Sequence, residues 1–345
     1  MFSICIPNYN YEKYLGLTLE SIFNQTYADF EVTIADNCST DNSMGIVRNY
    51  AEKYPGRIRY KVNPVNLGFA ANLDQAGSLA SSPFMIMLSS DDIIQPEALS
   101  VYKSAFDLVD DPEGTIVCAA NDVIDSQGEL IRSPRAKDIR FSIWTDEDQD
   151  KTLSDRLGVT VYRIAAGKLL RRVLLQSSNP FNFLATCYSR KLYQLVGGYG
   201  GTRLINPDKW FHWRILSVAK EAIFIDQPLF QYRWHNQNQT AQQINSGHLK
   251  FLVDEYRNTM DIGNDMLTTA ALSRHQVNAS FIRNGILRHG IGEFTRGRWL
   301  KALRIFFFGL STYPGLMLRS VLFFPFLFLL LTTPVGARVI SWFRR

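Results

Sequence analysis

An α/β fold with a mainly parallel sheet flanked by helices is the architecture this sequence predicts. Three observations carry it. Over the first 120 residues, short β-rich apolar runs alternate with helix-length segments. The runs are nearly continuous in apolar residues, as in strands covered on both faces. Each run also ends in polar, turn-rich chain. Strand, helix, strand at this spacing calls for crossover connections and parallel pairing.

The elements follow in order. The first run, Phe2–Ile6, has no basic leader, so no signal peptide is expected. It exits into "PNYN" and a helix near 12–25. The second, Phe30–Ala35, exits into "DNCSTDNS" and a helix near 42–54. The third, Ile58–Val62, exits into "NPVNLG" and a helix near 68–80. The fourth, Phe84–Leu88, exits into "SSDD" and a helix near 96–108, and Thr115–Ala120 follows. In such sheets ligands bind beyond the carboxyl ends of the strands. Four similar polar exits on one edge therefore mark a site, with Asp91 and Asp92 as one wall. Helix N-capping would explain one Asp there, but not the likeness of all four exits.

Residues 122–180 are less regular, with a tight turn at "DSQGE" and an acidic stretch at "TDEDQDKTLSD". A second organised block covers about 181–235, and 246–290 reads as one or two amphipathic helices. The last part is basic and apolar. From Arg283 onward there are ten Lys or Arg and one acid, Glu293, leaving a net −4 for residues 1–282. Between Arg319 and Arg338 lie 18 uncharged residues, the lower limit for a bilayer-spanning helix, interrupted by Pro325, Pro334 and Gly336. A basic amphipathic helix, "GRWLKALRIFFFGL", leads into it, which fits an interfacial anchor better than a clean span. A buried core helix is the alternative. The anionic surface expected for this end is a membrane, not nucleic acid.

Composition excludes a disordered chain, with 46% hydrophobic and 20% charged residues. Cys5, Cys38, Cys118 and Cys187 form no CxxC pair, which argues against a zinc site or a disulfide framework.

"SICIPNYN", "VTIADNCSTDNS", "NPVNLGFAANLDQA", "FMIMLSSDDIIQPEAL", "GGY…NPDKWFHWRI" and "QYRWHNQNQT" occur in that order. Together they resemble a family 2 glycosyltransferase with the GT-A nucleotide-sugar fold, over residues 2–240. The resemblance implies a glycosyltransferase domain at 1–240, with a nucleotide-sugar half at 1–120 and an acceptor half at 121–240. Residues 241–345 form a helical, membrane-associating extension.

By that resemblance Pro7, Tyr9 and Asp36 line the nucleotide pocket, with Asp36 on the base. Asn66 and Gly68 match an Asn-x-Gly turn, and Gly68 would let a diphosphate approach a helix N-terminus. Ser89, Ser90 and Asp91 occupy the place of an Asp-x-Asp metal motif, with Ser89 replacing the first carboxylate. Asp91 is then the metal ligand for Mg²⁺ or Mn²⁺, while Asp92 caps the next helix or orients a neighbour. Asp208, six residues before Arg214, resembles the general base. Arg233 and His235, two apart in extended chain, match an Arg-x-His suited to a leaving diphosphate or an anionic acceptor. The implied activity is inverting transfer from a nucleotide sugar to a hydroxyl. The implied acceptor is a lipid-linked glycan at the cytoplasmic face of a membrane, as in bacterial cell-surface polysaccharide enzymes. Two other readings stay open. A sugar nucleotidyltransferase would need a Gly-rich basic loop after its first strand, where "PNYNYEKYLG" offers only Lys13 and one late Gly. A non-catalytic nucleotide-sugar-binding protein would keep the pocket without the base.

Overall fold

A computed structural model describes residues 1–134, 143–200, 207–236, 238 and 248–331. The chain forms two compact units. One is Met1–Leu170 with Asn179–Asn238; the other is Arg171–Ser178 with Gln239–Arg345.

The described residues of the first unit build a ten-stranded sheet. Its strands are β1 (Phe2–Asn8), β2 (Phe30–Asp36), β3 (Ile58–Val62), β4 (Phe84–Met87), β5 (Ile93–Ile94) and β6 (Thr115–Ile124). They continue with β7 (Leu130–Arg132), β8 (Val161–Ala165), β9 (Thr186–Ser189) and β10 (Glu221–Arg233). The order is β3-β2-β1-β4-β9-β6-β10-β5, with β7 on β6 and β8 on β10. β1 pairs in parallel with β2 and β4, β2 with β3, and β6 with β10. Helices α1 (Glu12–Phe23), α2 (Ser43–Lys53), α3 (Phe69–Ser78) and α4 (Ala98–Asp107) make the connections of the first half. Then come α5 (Lys151–Leu157), α6 (Ala166–Gln176), α7 (Arg190–Leu195) and α8 (Pro207–Val218).

β1 and β2 are buried at every position, as their unbroken apolar runs require. β1 outruns its apolar stretch and continues through Pro7 to Asn8, in register with Ala35 and Asp36. β3 departs from the two-sided burial expected of all the runs. It is the sheet edge, buried only at Ile58, and its Arg59 and Lys61 are the charged residues that discourage edge pairing.

β9, like β5, β7, β8 and β10, is an element that sequence periodicity did not place. It lies between β4 and β6 and is antiparallel to both. Its first residues therefore sit at the carboxyl end of β4, and the chain preceding it reaches the edge where the first four strands exit.

At the opposite end of β2, Glu31 is a buried carboxylate that ties three segments. Ser3 Oγ, the backbone N–H groups of Ser81 (2.7 Å) and Ser82 (3.1 Å), and Arg59 all meet it. Burial works to raise its pKa, but the hydrogen bonds from Ser3, Ser81 and Ser82 outweigh that and bring it down to about 2. Its folded pKa lies below the ordinary 4.5. The stabilisation is therefore complete above the ordinary value and is lost as pH falls toward 2. Glu31→Gln is expected to cost about 2–3 kcal/mol at pH 7. Urea denaturation of both proteins at pH 7 and pH 3 checks this. The gap should narrow at the lower pH, and an equal gap at both would mean that the charge contributes nothing.

The second unit is helical. It comprises His248–Asp261, Asn264–Thr269 and a continuous helical run from Arg274 to Thr295, with π-type turns over Phe281–Leu287. Trp299–Thr312, Pro314–Arg319 and Phe323–Leu331 complete it. Residues 171–178, which the sequence boundary assigned to the first domain, belong here. Arg171 Nη1 donates to Ala270 O (3.3 Å) and Asn284 Nδ2 donates to Leu175 O (3.1 Å), holding the end of α6. Apolar side chains of the last three helices split two ways. Phe306, Met317, Phe323 and Phe326 pack inward with Phe281 and Ile286. Leu300, Phe307, Val321, Phe324 and Phe328 are exposed. No helix among the described residues is long and apolar enough to cross a membrane.

Candidate functional site

Asparagines knit the four strand exits together. Asn37 Nδ2 donates to Asn66 Oδ1 (2.8 Å), while Asn37 Oδ1 accepts from Leu67 N (2.8 Å) and Asn63 Nδ2 (3.2 Å). Asn63 Nδ2 also donates to Asn72 Oδ1 (2.9 Å), and Asn72 Nδ2 donates to the carbonyls of Asn8 and Ala35. Ser90 Oγ donates to Pro7 O (3.0 Å), joining the first exit to the fourth. A neutral amide can donate and accept, as Asn37 and Asn72 do here, so one residue type bridges strands without adding charge.

Asp36 belongs to this scaffold. The sequence reading placed its carboxylate on a nucleobase, but it is fully enclosed. Oδ1 accepts from Asn8 Nδ2 (2.8 Å) and Ser39 Oγ (2.6 Å), and Oδ2 accepts from Ser39 N (2.9 Å). A carboxylate three residues before a returning N–H closes such a turn on itself. The open surface comes instead from Tyr9, Asn66 and Gly68, which are exposed or half-exposed, and from half-buried Ser89. Pro7 is buried in β1. Gly68 has φ +83° at the start of α3, with open space where a Cβ would stand, so only backbone faces a ligand there.

Asp91 and Asp92 face different ways. Asp91 Oδ2 accepts from His235 Nε2 (2.9 Å) and Asn238 Nδ2 (2.9 Å). The Tyr14 ring lies 4.8 Å from the His235 ring. Asp92 turns inward, where Oδ1 accepts from the backbone N–H of Arg233 (2.9 Å). It orients a neighbour and is not the cap of α4, whose N-cap is Glu97. Burial, together with the adjacent Asp91 charge, pushes the Asp92 carboxyl well above its ordinary range.

Arg233 is likewise a strut and not an open cation. Its Nε donates to Asp91 O (2.9 Å) and Nη1 to Asp125 O (3.2 Å), and the residue is 3% exposed.

The metal reading can be tested on these donors. Among the described residues, no three His, Cys, Asp or Glu side chains gather into a metal-sized cluster. Asp91 and His235 converge, and a cation that displaced the Nε2 proton would meet one oxygen and one nitrogen. Mg²⁺ and Mn²⁺ sites at diphosphates often use one or two protein ligands and draw the rest from phosphate and water. The pair fits that role.

Asp208 lies in the first turn of α8. It is half-buried, and Asn179 Nδ2 donates to its Oδ2 (2.9 Å). Burial raises its pKa, opposed by N–H groups of the helix start, the Lys209 charge and the Asn179 bond. Arg214 donates from Nη2 to Gly198 O (2.6 Å) and serves the loop before α8. Asn179 precedes β9, and β9 begins at the β4 exit. Through the Asn179 bond, Asp208 is tied to the chain that leads into β9 beside the β4 exit.

Sequence reasoning did not find Asn179, Asn238, Tyr14 or His212. Asn238 alone carried a signal, lying three residues beyond His235 in "RWHNQNQ".

A family model described as Glycosyl transferase family 2 matches residues 3–177. An uncharacterized glycosyltransferase of Nostoc sp. is 28% identical over 68% of this chain and 65% of its own length. An abequosyltransferase of Salmonella typhimurium is 35% identical over 31% of this chain and 33% of its own. The chain thus spans less than two thirds of either curated relative. Among solved structures, TarS of Staphylococcus aureus in complex with UDP-GlcNAc superposes with a TM-score of 0.61 at 19% identity, over 87% of this chain and 75% of that one. A mannosyltransferase of Pyrobaculum calidifontis in complex with GDP-Man and Mn²⁺ gives 0.52 at 16% identity, over 99% of this chain and 85% of that one. These two likenesses are of fold.

Proposed function

This chain belongs to glycosyl transferase family 2, and on that premise we propose that it moves a sugar, with inversion, from a nucleotide sugar to an acceptor hydroxyl. The observation that carries the reading is the hydrogen bond that ties Asp208 to Asn179, in the chain leading to β9 beside the β4 exit where Asp91 follows. Tyr9, Asn66, Gly68 and Ser89 would line the nucleotide and diphosphate, while Asp36, Ser90 and Arg233 hold the loops that present them. Asp91 and His235 would hold Mg²⁺ or Mn²⁺, which stabilises charge on the departing diphosphate.

Asp208 accepts the proton of the acceptor hydroxyl. That oxygen forms the new bond to the anomeric carbon as the bond to the diphosphate breaks, and the electron pair leaves with the diphosphate. One displacement inverts the configuration. A carboxylate whose pKa burial raises, against the opposing pull of a helix start and a hydrogen bond, suits the role of a base. The test is a panel of UDP-, GDP-, CDP- and dTDP-sugars assayed for nucleotide release with membrane lipid extract, followed by the anomeric configuration of the product. No release from any donor, or a retained configuration, would overturn it.

The C-terminal helices support a lipid-linked acceptor at the cytoplasmic face of a membrane. Arg296, Arg298, Lys301 and Arg304 accompany the exposed Leu300, Phe307, Phe324 and Phe328. Anionic headgroups are worth on the order of 1 kcal/mol per base, and apolar insertion adds to that. The protein is expected to sediment with vesicles containing phosphatidylglycerol and to resist release by high salt. Serine at Phe307, Phe324 and Phe328 together should make the binding salt-sensitive. Equal sedimentation of the triple variant in high salt would remove these rings from the interface.

A further inference from the structure

Behind Asp208 stands a residue with no part in the proposed reaction. His212 lies four positions along α8, on the same helix face, and it is completely buried. Its Nδ1 lies 2.7 Å from Asn179 Oδ1, and the same amide donates from Nδ2 to Asp208 Oδ2 at 2.9 Å. We propose that Asn179 and His212 are a positioning pair that sets the orientation and basicity of Asp208. The inference rests on the reading of Asp208 as the base.

The donors and acceptors allow one arrangement. A carboxylate only accepts, so the amide must turn its NH₂ to Asp208. Asn179 Oδ1 then faces the imidazole and needs a donor, so the proton sits on Nδ1. In neutral imidazole Nε2 is consequently bare, and here it is buried with no hydrogen-bond partner among the described residues. A second proton at Nε2 would be an unsatisfied charged donor in an apolar pocket. The Phe181 ring packs edge-on at 5.3 Å and Phe211 lies at 5.9 Å. Burial alone takes the His212 pKa down to about 3, so the tautomer holds through the working range. Flipping the amide would break both bonds and turn its oxygen toward the carboxylate. The imidazole therefore acts as a lock on Asn179, and Asn179 as a lock on the base.

The charge of Asp208 is also affected by Lys209, beside it on α8, and by Tyr199 from the loop after α7. The Asn179 bond lowers the Asp208 pKa. Losing it should raise that pKa and shift the acid limb of the pH–rate profile to higher pH, because the base must be ionised to act.

The experiment uses the full chain and the donor giving the fastest nucleotide release among the UDP-, GDP-, CDP- and dTDP-sugars. His212→Phe removes the Nδ1 donor, and Asn179→Leu removes the bridge. Both should lower kcat by about 10- to 100-fold, as expected for a misplaced group, with donor KM little changed and the acid limb raised. His212→Asn, whose amide N–H can occupy the place of Nδ1–H, should restore most of kcat and the original limb. In ¹⁵N spectra of the unliganded protein, His212 should show protonated Nδ1 and bare Nε2 across the neutral range. A His212→Phe that matches His212→Asn, with an unmoved limb, reduces the pair to packing and overturns the proposal. So does an Nε2–H or doubly protonated imidazole, even if a variant fails to fold. Failure of the underlying reading shows separately, as transfer retained by Asp208→Asn.

Discussion

Asp208→Asn is expected to lower sugar transfer by about 10²–10⁴-fold while donor binding stays near its original value. The substitution keeps shape and volume and removes only the ability to take a proton. The neighbouring Asn179 amide and the helix start keep the side chain in place. Single-turnover transfer and donor titration, run on the same preparation, separate the two effects. In the unsubstituted protein the rate should fall as pH drops through the raised Asp208 pKa, since the base is lost on protonation. Near-normal transfer by the Asn variant would assign the proton to another group and leave Asp208 as part of a helix start.

Asp91→Ala is expected to abolish the response of donor binding to divalent cations and to weaken that binding by about 100-fold or more. The loss has two parts. The cation site keeps only His235, and the hydrogen bonds that position His235 and Asn238 lose their acceptor. Asp92 should also relax toward its ordinary pKa, because the adjacent charge is one cause of its rise. Donor titrations in Mn²⁺ and in excess chelator, for both proteins, give the answer. An unchanged metal response in the variant would move the cation elsewhere.

Much of the first half was legible in the sequence for a simple reason. β1, β2 and β4 are covered on both faces, so their apolar runs report burial directly, and the polar exits report which edge is open. Asp91 and Asp208 could be singled out in the sequence because one follows a buried strand and the other opens a helix; their chemistry is the proposal above. What was not legible depended on partners distant in sequence. β9 is a four-residue strand whose place between β4 and β6 is set by its neighbours. Asp36 and Arg233 read as ligands by family resemblance, as the charged ends of two strands. Their inward turn follows from Asn8, Ser39 and Asp125, which periodicity does not connect. His212 sits on a helix with little segregation of polar and apolar faces, so nothing local marked it. The end of α6 at 171–178 was divided from its partners by some sixty intervening residues.

The place of β9 also bears on the order in which the molecule can assemble. β1, β2 and β3 are joined by short crossovers whose pairings close small loops, while β1 meets β4 across about eighty residues. β4 meets β9 through Phe84 and Ser189, a pairing that closes a loop of about a hundred residues and carries the corresponding entropy. The β1–β3 pairs can therefore form early, by local steps, while β9, which follows Asn179 in the chain, docks late. An ATP-independent holdase or a truncated chain would then encounter a species with formed β1–β3 pairs and an unpaired β4 flank, and that flank is the surface most exposed to misassociation during synthesis.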